Sequence, residues 1–485
     1  MLKKKALAYF LTSTLLLPSF SGVANTVQSS LPDIGTTAAG TLTIDKELEY
    51  GDAYMRMLRA SRPIINDPLL NEYVSSLGHR LVANASDVKT PFHFFLIRNK
   101  EINAFAFFGG YVALHTGLFL YAQDESELAS VVAHEIAHIT QRHLARAMED
   151  QARKSPLTIA ALIGSLMLAV AAPEAGIAAA QATTAASIQS RINYTRSNEQ
   201  EADRIGIDTL ARAGFNPKAM PAFFGRMLEQ YRYASKPPEF LLTHPLPESR
   251  ITESRARAQQ YPSVMLPPSE PYHLARARII ARFSGLEPAA ALDWFTRQEK
   301  KASLSVKPTL EYGKALVYLD TRKPEKAAAI LDKLIRAEPE NRFFLDAMTD
   351  LYVQKKEYAK ASEMLEKALR NQPENRVLEL NRYYVMMEAG KYQDAISFLN
   401  RYTHNFPSDI SAWSMLQEAY DRSGKRPEAL AAQGELFALA AQWPKAINNY
   451  IQASQLAPIG SLDQARYDAR IDQLRVMQQR FESLQ

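Results

Sequence analysis

No cysteine occurs anywhere in the 485 residues. That absence excludes disulfide frameworks and thiolate chemistry, and it leaves histidine and carboxylate side chains to hold any transition metal. A surplus of charge is missing too, since 57 basic residues face 52 acidic ones for a formal +5. Removing the three lysines at the start, Lys3, Lys4 and Lys5, leaves only +2. Nucleic-acid binding normally shows a concentrated basic face, and the sequence offers no case for it. Long apolar runs are scarce. Ala6 to Leu17 is too short to span a bilayer, and Leu157 to Ala172 also falls short of the ~20 residues needed.

The opening segment reads as a secretory signal over residues 1–24. Three lysines precede the short apolar run, and Gly22-Val23-Ala24 supplies small residues for cleavage after Ala24. The chain as a whole is 47% apolar and 22% charged, as globular proteins are, and is long enough for two domains. The expected division is a mixed helix-and-strand domain over 25–265 and an all-helical one over 266–485.

The strongest chemical signal is His134-Glu135-Ile136-Ala137-His138, an HExxH motif. Two imidazoles four residues apart share one helical face, which suits two corners of a tetrahedral zinc site. Glu135 between them is placed to take a proton from a metal-activated water. The context is coherent. Phe92–Ile97 reads as a strand, and Asn103–Phe108 and Tyr111–Leu114 as two strands, or a strand and bulge, around Gly109-Gly110. Asp124 with Glu127 forms a capping-box-like start, and Leu128, Val131, Val132, Ile136 and Ile139 keep helical period from there.

A catalytic zinc needs a third protein ligand. Glu199 is the candidate because Asp203 lies four residues on, where it can accept a hydrogen bond from a ligating imidazole. Glu201 nearby is the alternative acid and otherwise a solvated one, and Asp203 has an alternative reading as a salt-bridge residue. Two histidines and a carboxylate leave one position for water, the arrangement of catalytic rather than structural zinc. One zinc per chain is expected.

The second half repeats itself. Pro339, Pro373 and Pro407 are 34 residues apart, and Ala327, Ala361, Ala395 and Ala429 keep that period through four copies. Tyr318, Tyr352, Met386 and Tyr420 keep it as well. Small residues where paired helices touch, with proline after the second helix, form the tetratricopeptide pattern. Ala446 and Pro458 come half a period out of step and suggest one extra helix that breaks the strict array. Residues 461–481 then read as a capping helix, and 271–300 as a degenerate helix pair joining the halves.

HEIAH followed by Asn198-Glu199-Gln200-Glu201-Ala202-Asp203-Arg204-Ile205-Gly206 resembles the CAAX-prenyl-endopeptidase and HtpX-like group of gluzincin metallopeptidases. Asn103-Ala104-Phe105, Gly109-Gly110, His115-Thr116-Gly117-Leu118, Thr243-His244-Pro245 and Arg250-Ile251 match as well. The resemblance implies a mainly α protein: a zincin-like α+β metallopeptidase domain with a small sheet, then an all-α repeat solenoid. It implies zinc on His134, His138 and Glu199, with Glu135 as base. For members with an export signal and repeats it implies a periplasmic endopeptidase and chaperone in outer-membrane β-barrel assembly and quality control. The implied partners are unfolded or misassembled outer-membrane proteins, the barrel assembly machinery, and barrel substrates such as the lipopolysaccharide translocon. A rival reading is a non-proteolytic scaffold whose zinc site is held closed by His244.

His244 lies in a proline-punctuated segment that cannot be regular helix. Its imidazole either stabilises the oxyanion of the reaction or fills the fourth metal position at rest. Arg250 supports either role, by pairing with a carboxylate or with the oxyanion. His143, five residues past His138, extrapolates off its face and reads as solvated. His79, His93, His115, His273 and His404 show no metal-type pairing. Leu157–Ala172 reads as a buried hairpin, with a membrane-touching element or a lid over the cleft as alternatives. Phe105, Phe107 and Phe108 read as core or as cleft residues of a substrate-binding sheet edge.

Overall fold

A computed structural model describes residues 42–154, 196–233, 238–262 and 264–484. The expected signal over 1–24 and the apolar run 157–172 lie outside the described residues. Among the described residues no helix is long and apolar enough to cross a membrane.

Helix α1 (Ile44–Ser61) is capped by Thr43, and α2 (Pro68–Val82) by Asp67, with proline in the first turn where no amide partner is lost. Strands β1 (His93–Ile97), β2 (Ala104–Phe107) and β3 (Tyr111–His115) form a sheet in the order β1-β3-β2. β1 runs parallel to β3, and β2 pairs antiparallel with it, Phe105 opposite Ala113. The Gly109-Gly110 turn therefore separates two strands. Gly110 sits at φ 79°, and a Cβ there would come within 1.8 Å of the Pro91 carbonyl oxygen. Short α3 (Thr116–Tyr121) leads to α4 (Glu125–Thr140), which carries the HExxH motif.

The start of α4 shows why the helix begins there. Asp124 accepts from the Glu127 amide at 3.0 Å, and Glu127 accepts from the Gln123 amide at 2.7 Å. Fourteen of its sixteen residues are buried, so α4 is the central helix of this half and not an amphipathic surface helix. Helix α5 (His143–Lys154) follows, then α6 (Arg196–Arg212), which packs along α4. Gly206 permits the close approach: a Cβ there would sit 3.2 Å from the His134 amide nitrogen. Helices α7 (Ala219–Tyr231), α8 (Glu239–Thr243) and α9 (Glu248–Ala258) complete this half.

The remainder is helical hairpins: α10 (Glu270–Arg282) with α11 (Pro288–Glu299), α12 (Lys307–Asp320) with α13 (Pro324–Ala337), and α14 (Arg342–Gln354) with α15 (Tyr358–Asn371). Then come α16 (Arg376–Glu388) with α17 (Tyr392–Asn405), α18 (Ile410–Arg422) with α19 (Arg426–Leu439), and α20 (Trp443–Leu456) with α21 (Leu462–Glu482). The half-period reading of Ala446 is corrected. First helices begin at 342, 376, 410 and 443, so α20 opens another pair nearly in step. Its alanine marks contact with α19 on a first helix, where earlier copies placed theirs on the second.

One core runs from Ile65 through α4 to Val377, so burial continues past residue 265. Tyr272 of α10 stacks on Phe119 and donates to the Ala122 carbonyl at 2.7 Å. Buried Arg278 joins Asp67 of α2 to Asp346 of α14, at 2.7 Å each. At the far end Arg56 of α1 donates to the Ala438 carbonyl at 2.8 Å, and Leu484 shares a core with Tyr54, Phe107 and Phe108. Phe107 and Phe108 are therefore core residues, and Phe105 is half-buried beside them.

Candidate metal centre

His134 and His138 face α6 from one side of α4, their Nε2 atoms 3.0 Å apart. Glu199, in the first turn of α6, sets its carboxylate oxygens 3.5 Å from His134 Nε2 and 3.4 Å from His138 Nε2. His244 arrives from the turn after α8, with Nδ1 at 3.4 Å from His134 Nε2 and 3.1 Å from Glu199 Oε1. That turn is pinned, because the Phe240 amide donates to the Ile102 carbonyl just before β2 and the His244 amide to the Phe240 carbonyl. One ligand atom from each of the four residues lies within 4.8 Å of every other.

These separations test the fit to a metal. Bonds of roughly 2.0–2.1 Å in a tetrahedron give edges of roughly 3.3–3.4 Å between ligand atoms. The five separations above, taken to the nearer of the two Glu199 oxygens, span 3.0–3.5 Å. Three imidazole nitrogens and a carboxylate converge their lone pairs, and two acceptor nitrogens facing each other need a proton or a cation between them. The donor set fits a divalent ion.

Glu135 stands beside the cluster, fully buried, with Oε1 3.4 Å from His244 Nε2. Neither of its oxygens holds a hydrogen bond of ordinary geometry. Burial pushes its carboxyl pKa up, while the His244 and His134 rings and the Ala106 backbone of β2 oppose that rise. A buried carboxyl so loosely held next to a metal-type cluster is placed for proton transfer.

Two buried groups orient the ligands. Asp203 Oδ1 lies 3.0 Å from His134 Nδ1, which turns that ring's Nε2 towards the cluster. Arg250 grips Asp203 through two bonds of 2.8 Å and reaches Glu199 Oε2 at 2.7 Å, so it pairs with carboxylates. Asp203 is thus both the carboxylate facing His134 and a salt-bridge residue. Among the protein groups alone, burial pushes His134 down most, but Asp203 and Glu199 together raise it to about 10. Burial likewise opposes ionisation of Glu199, yet His244, His134 and His138 hold its carboxyl well below the usual range. His138 is driven far down, chiefly by burial and then by the charge of His134.

Two expectations are corrected at the end of α4. His143 is fully buried, with Nδ1 2.8 Å from His138 Nδ1 and Nε2 3.1 Å from Glu201 Oε2. Glu201 is therefore no free surface acid, and Arg146 holds it at 2.9 Å. Extrapolating α4 failed because Arg142 adopts φ 53° and turns the chain back. Its guanidinium is anchored on Glu47 of α1, with Nε at 3.0 Å from Oε1. A third histidine close behind HExxH and an unassigned Glu201 were the available signal.

The comparisons agree with this geometry. Residues 68–258 match peptidase family M48, and residues 352–420 match a tetratricopeptide repeat family. A Vibrio cholerae protein provisionally called a beta-barrel assembly-enhancing protease is 64% identical over 98% of this chain and 100% of its own. The beta-barrel assembly-enhancing protease of Escherichia coli strain K12 is 47% identical over 99% of this chain and 98% of its own. The mitochondrial metalloendopeptidase OMA1 of Schizosaccharomyces pombe is 31% identical over 42% of this chain and 55% of its own. With the peptidase motifs converging in space and the repeats behind them, the chain belongs to the beta-barrel assembly-enhancing proteases, M48 metallopeptidases with a tetratricopeptide array.

Proposed function

We propose that the chain is a zinc-dependent endopeptidase and chaperone of the periplasm, acting in assembly and quality control of outer-membrane β-barrel proteins. The observation that carries the enzymatic part is the convergence of His134, His138 and Glu199 with the buried Glu135 carboxyl beside them. An all-nitrogen-and-oxygen donor set with tetrahedral edges favours zinc. Zinc bound there would supply Lewis acidity and make water a nucleophile at neutral pH. Glu135 then accepts the proton of the attacking water and returns it to the leaving amide nitrogen. Asp203 and Arg250 keep His134 and Glu199 in place throughout. Edge strand β2, whose Ala106 backbone adjoins Glu135, is suited to hold an extended substrate as an added strand.

His244 closes the site at rest. Its Nδ1 occupies the fourth corner of the ligand set, and its Nε2 faces Glu135. This favours a closed resting site over an open one, and the presence of Glu135, for which a purely structural site has no use, favours a latent protease over a permanently closed scaffold. His244→Ala should raise proteolysis of unfolded protein, whereas near-total loss of turnover would make His244 the oxyanion stabiliser instead.

The repeats of 266–485 serve as the recruiting surface, for barrel proteins or for the machinery that assembles them, because such arrays bind peptides and perform no chemistry. The names of the relatives support the outer-membrane role, and the Lys3–Ala24 pattern supports export. The test is Glu135→Gln in the full chain. It should keep stoichiometric zinc and lose roughly 10²- to 10⁴-fold in degradation rate. Undiminished degradation would contradict the assignment.

A further inference from the structure

The two imidazoles of α4 are supported unequally. His134 rests directly on Asp203 at 3.0 Å, and that carboxylate is sealed, with 6% of its side chain exposed. His138 has a second imidazole between itself and its acid: His143 at 2.8 Å, then Glu201 at 3.1 Å, then Arg146 at 2.9 Å. Glu201 is 26% exposed and Arg146 35%, so this arm runs from the cluster to the surface.

Chemistry fixes the direction of the arm. His138 turns Nε2 towards His134 and Glu199, and a nitrogen that offers its lone pair there leaves the ring proton on Nδ1. His138 Nδ1–H must then donate to His143 Nδ1. His143, having used Nδ1 as acceptor, carries its proton on Nε2 and donates to Glu201. Only one tautomer of each ring satisfies all three contacts, and the run ends on a carboxylate that Arg146 holds.

We infer that His143 is a positioning residue of the metal centre, which fixes the tautomer and orientation of His138 and relays to it the negative charge of Glu201. This rests on the metallopeptidase reading above and adds a second support arm to it. A carboxylate beyond a ligating imidazole raises the basicity of that ligand and holds its ring, and loss of such a partner typically weakens metal binding about 10- to 100-fold. The arm depends on the left-handed turn at Arg142, which Glu47 anchors, so helix α1 contributes to the setting of His138.

The test uses the full chain, with zinc as probe in competition against a chelator, and cobalt substitution as a spectroscopic readout. His143→Leu should weaken zinc binding about 10- to 100-fold and alter the cobalt visible bands. His143→Asn keeps an acceptor for His138 but cannot reach Glu201, and should recover most of the lost affinity. Glu201→Gln keeps the contact without the charge, and should give a smaller loss in the same direction. The melting temperature of the chelated chain should be unchanged in the asparagine and glutamine variants, which separates metal support from packing. Wild-type affinity and an unaltered cobalt spectrum in His143→Leu would overturn the inference. If His143→Leu fails to fold, full zinc affinity in Glu201→Gln and His143→Asn alike would overturn it. Absence of zinc binding by the wild type would instead overturn the metallopeptidase reading on which it rests.

Discussion

Where α4 and α6 meet α9 and the turn after α8, the buried side chains include His134, Glu135, His138, Glu199, Asp203, His244 and Arg250. On α13, α15 and α17, Ala327, Ala361 and Ala395 are fully buried together with Leu331, Leu365 and Leu399, one alanine and one leucine per hairpin. The first region takes charged groups out of water and recovers the cost only because each carboxylate meets an arginine, an imidazole or a metal. At these positions the second buries methyl and methylene groups that need no partner, so any helix pair of the right period serves there. Site geometry in the first region is over-determined by mutual contacts, while in the second one hairpin closely resembles the next. Both rest on the same physics of burial, but removing one side chain has different consequences in each.

The comparison breaks most visibly at Arg250. Arg250→Met would leave Glu199 and Asp203 buried without their cation, and should cost about 3–5 kcal/mol of stability together with metal retention. Thermal unfolding of the full chain measures it, and a shift no larger than that of a surface arginine such as Arg297 would contradict the picture. A pH series sharpens the contrast. In the chelated chain His134, raised to about 10, contributes stability that is complete below its ordinary 6.5 and is lost progressively as pH rises from there through about 10. His138, driven down mainly by burial, withdraws stability as pH falls below 6.5. Melting temperature should therefore fall on both sides of a maximum near neutrality, and added zinc should remove the alkaline limb, since a ligating His134 is already deprotonated. A flat profile between pH 6 and 9, of the kind expected for the array alone, would oppose this. The smallest effect belongs to the array. Ala361→Leu overfills a helix contact and should cost about 1–3 kcal/mol while zinc binding stays as in the wild type. Loss of metal in that variant would show that the two regions are not separable.

Legibility in the sequence follows the same divide. The array was readable because Ala327, Ala361, Ala395 and Ala429 repeat a local pattern, and α4 because Asp124 and Glu127 mark its start. Glu199 and Asp203 could be singled out by their helical offset, and the structure places both at the cluster. His143 was misread because the turn that redirects it depends on Glu47, nearly a hundred residues earlier, which no local periodicity reports. The half-period reading of Ala446 erred because a column of alanines says that two helices touch but not which helix of the pair carries the residue. The helix pair over 271–300 that joins the halves was legible, but not the Tyr272–Phe119 contact through which α10 meets α3, because a contact between distant segments has no repeated spacing.

Metal analysis of the wild-type chain and of Glu199→Ala, purified side by side, tests the central claim most directly. The account predicts one zinc per chain in the first and little in the second, with the fold of both intact by circular dichroism. Equal zinc in the two proteins, or none in the wild type, would contradict it.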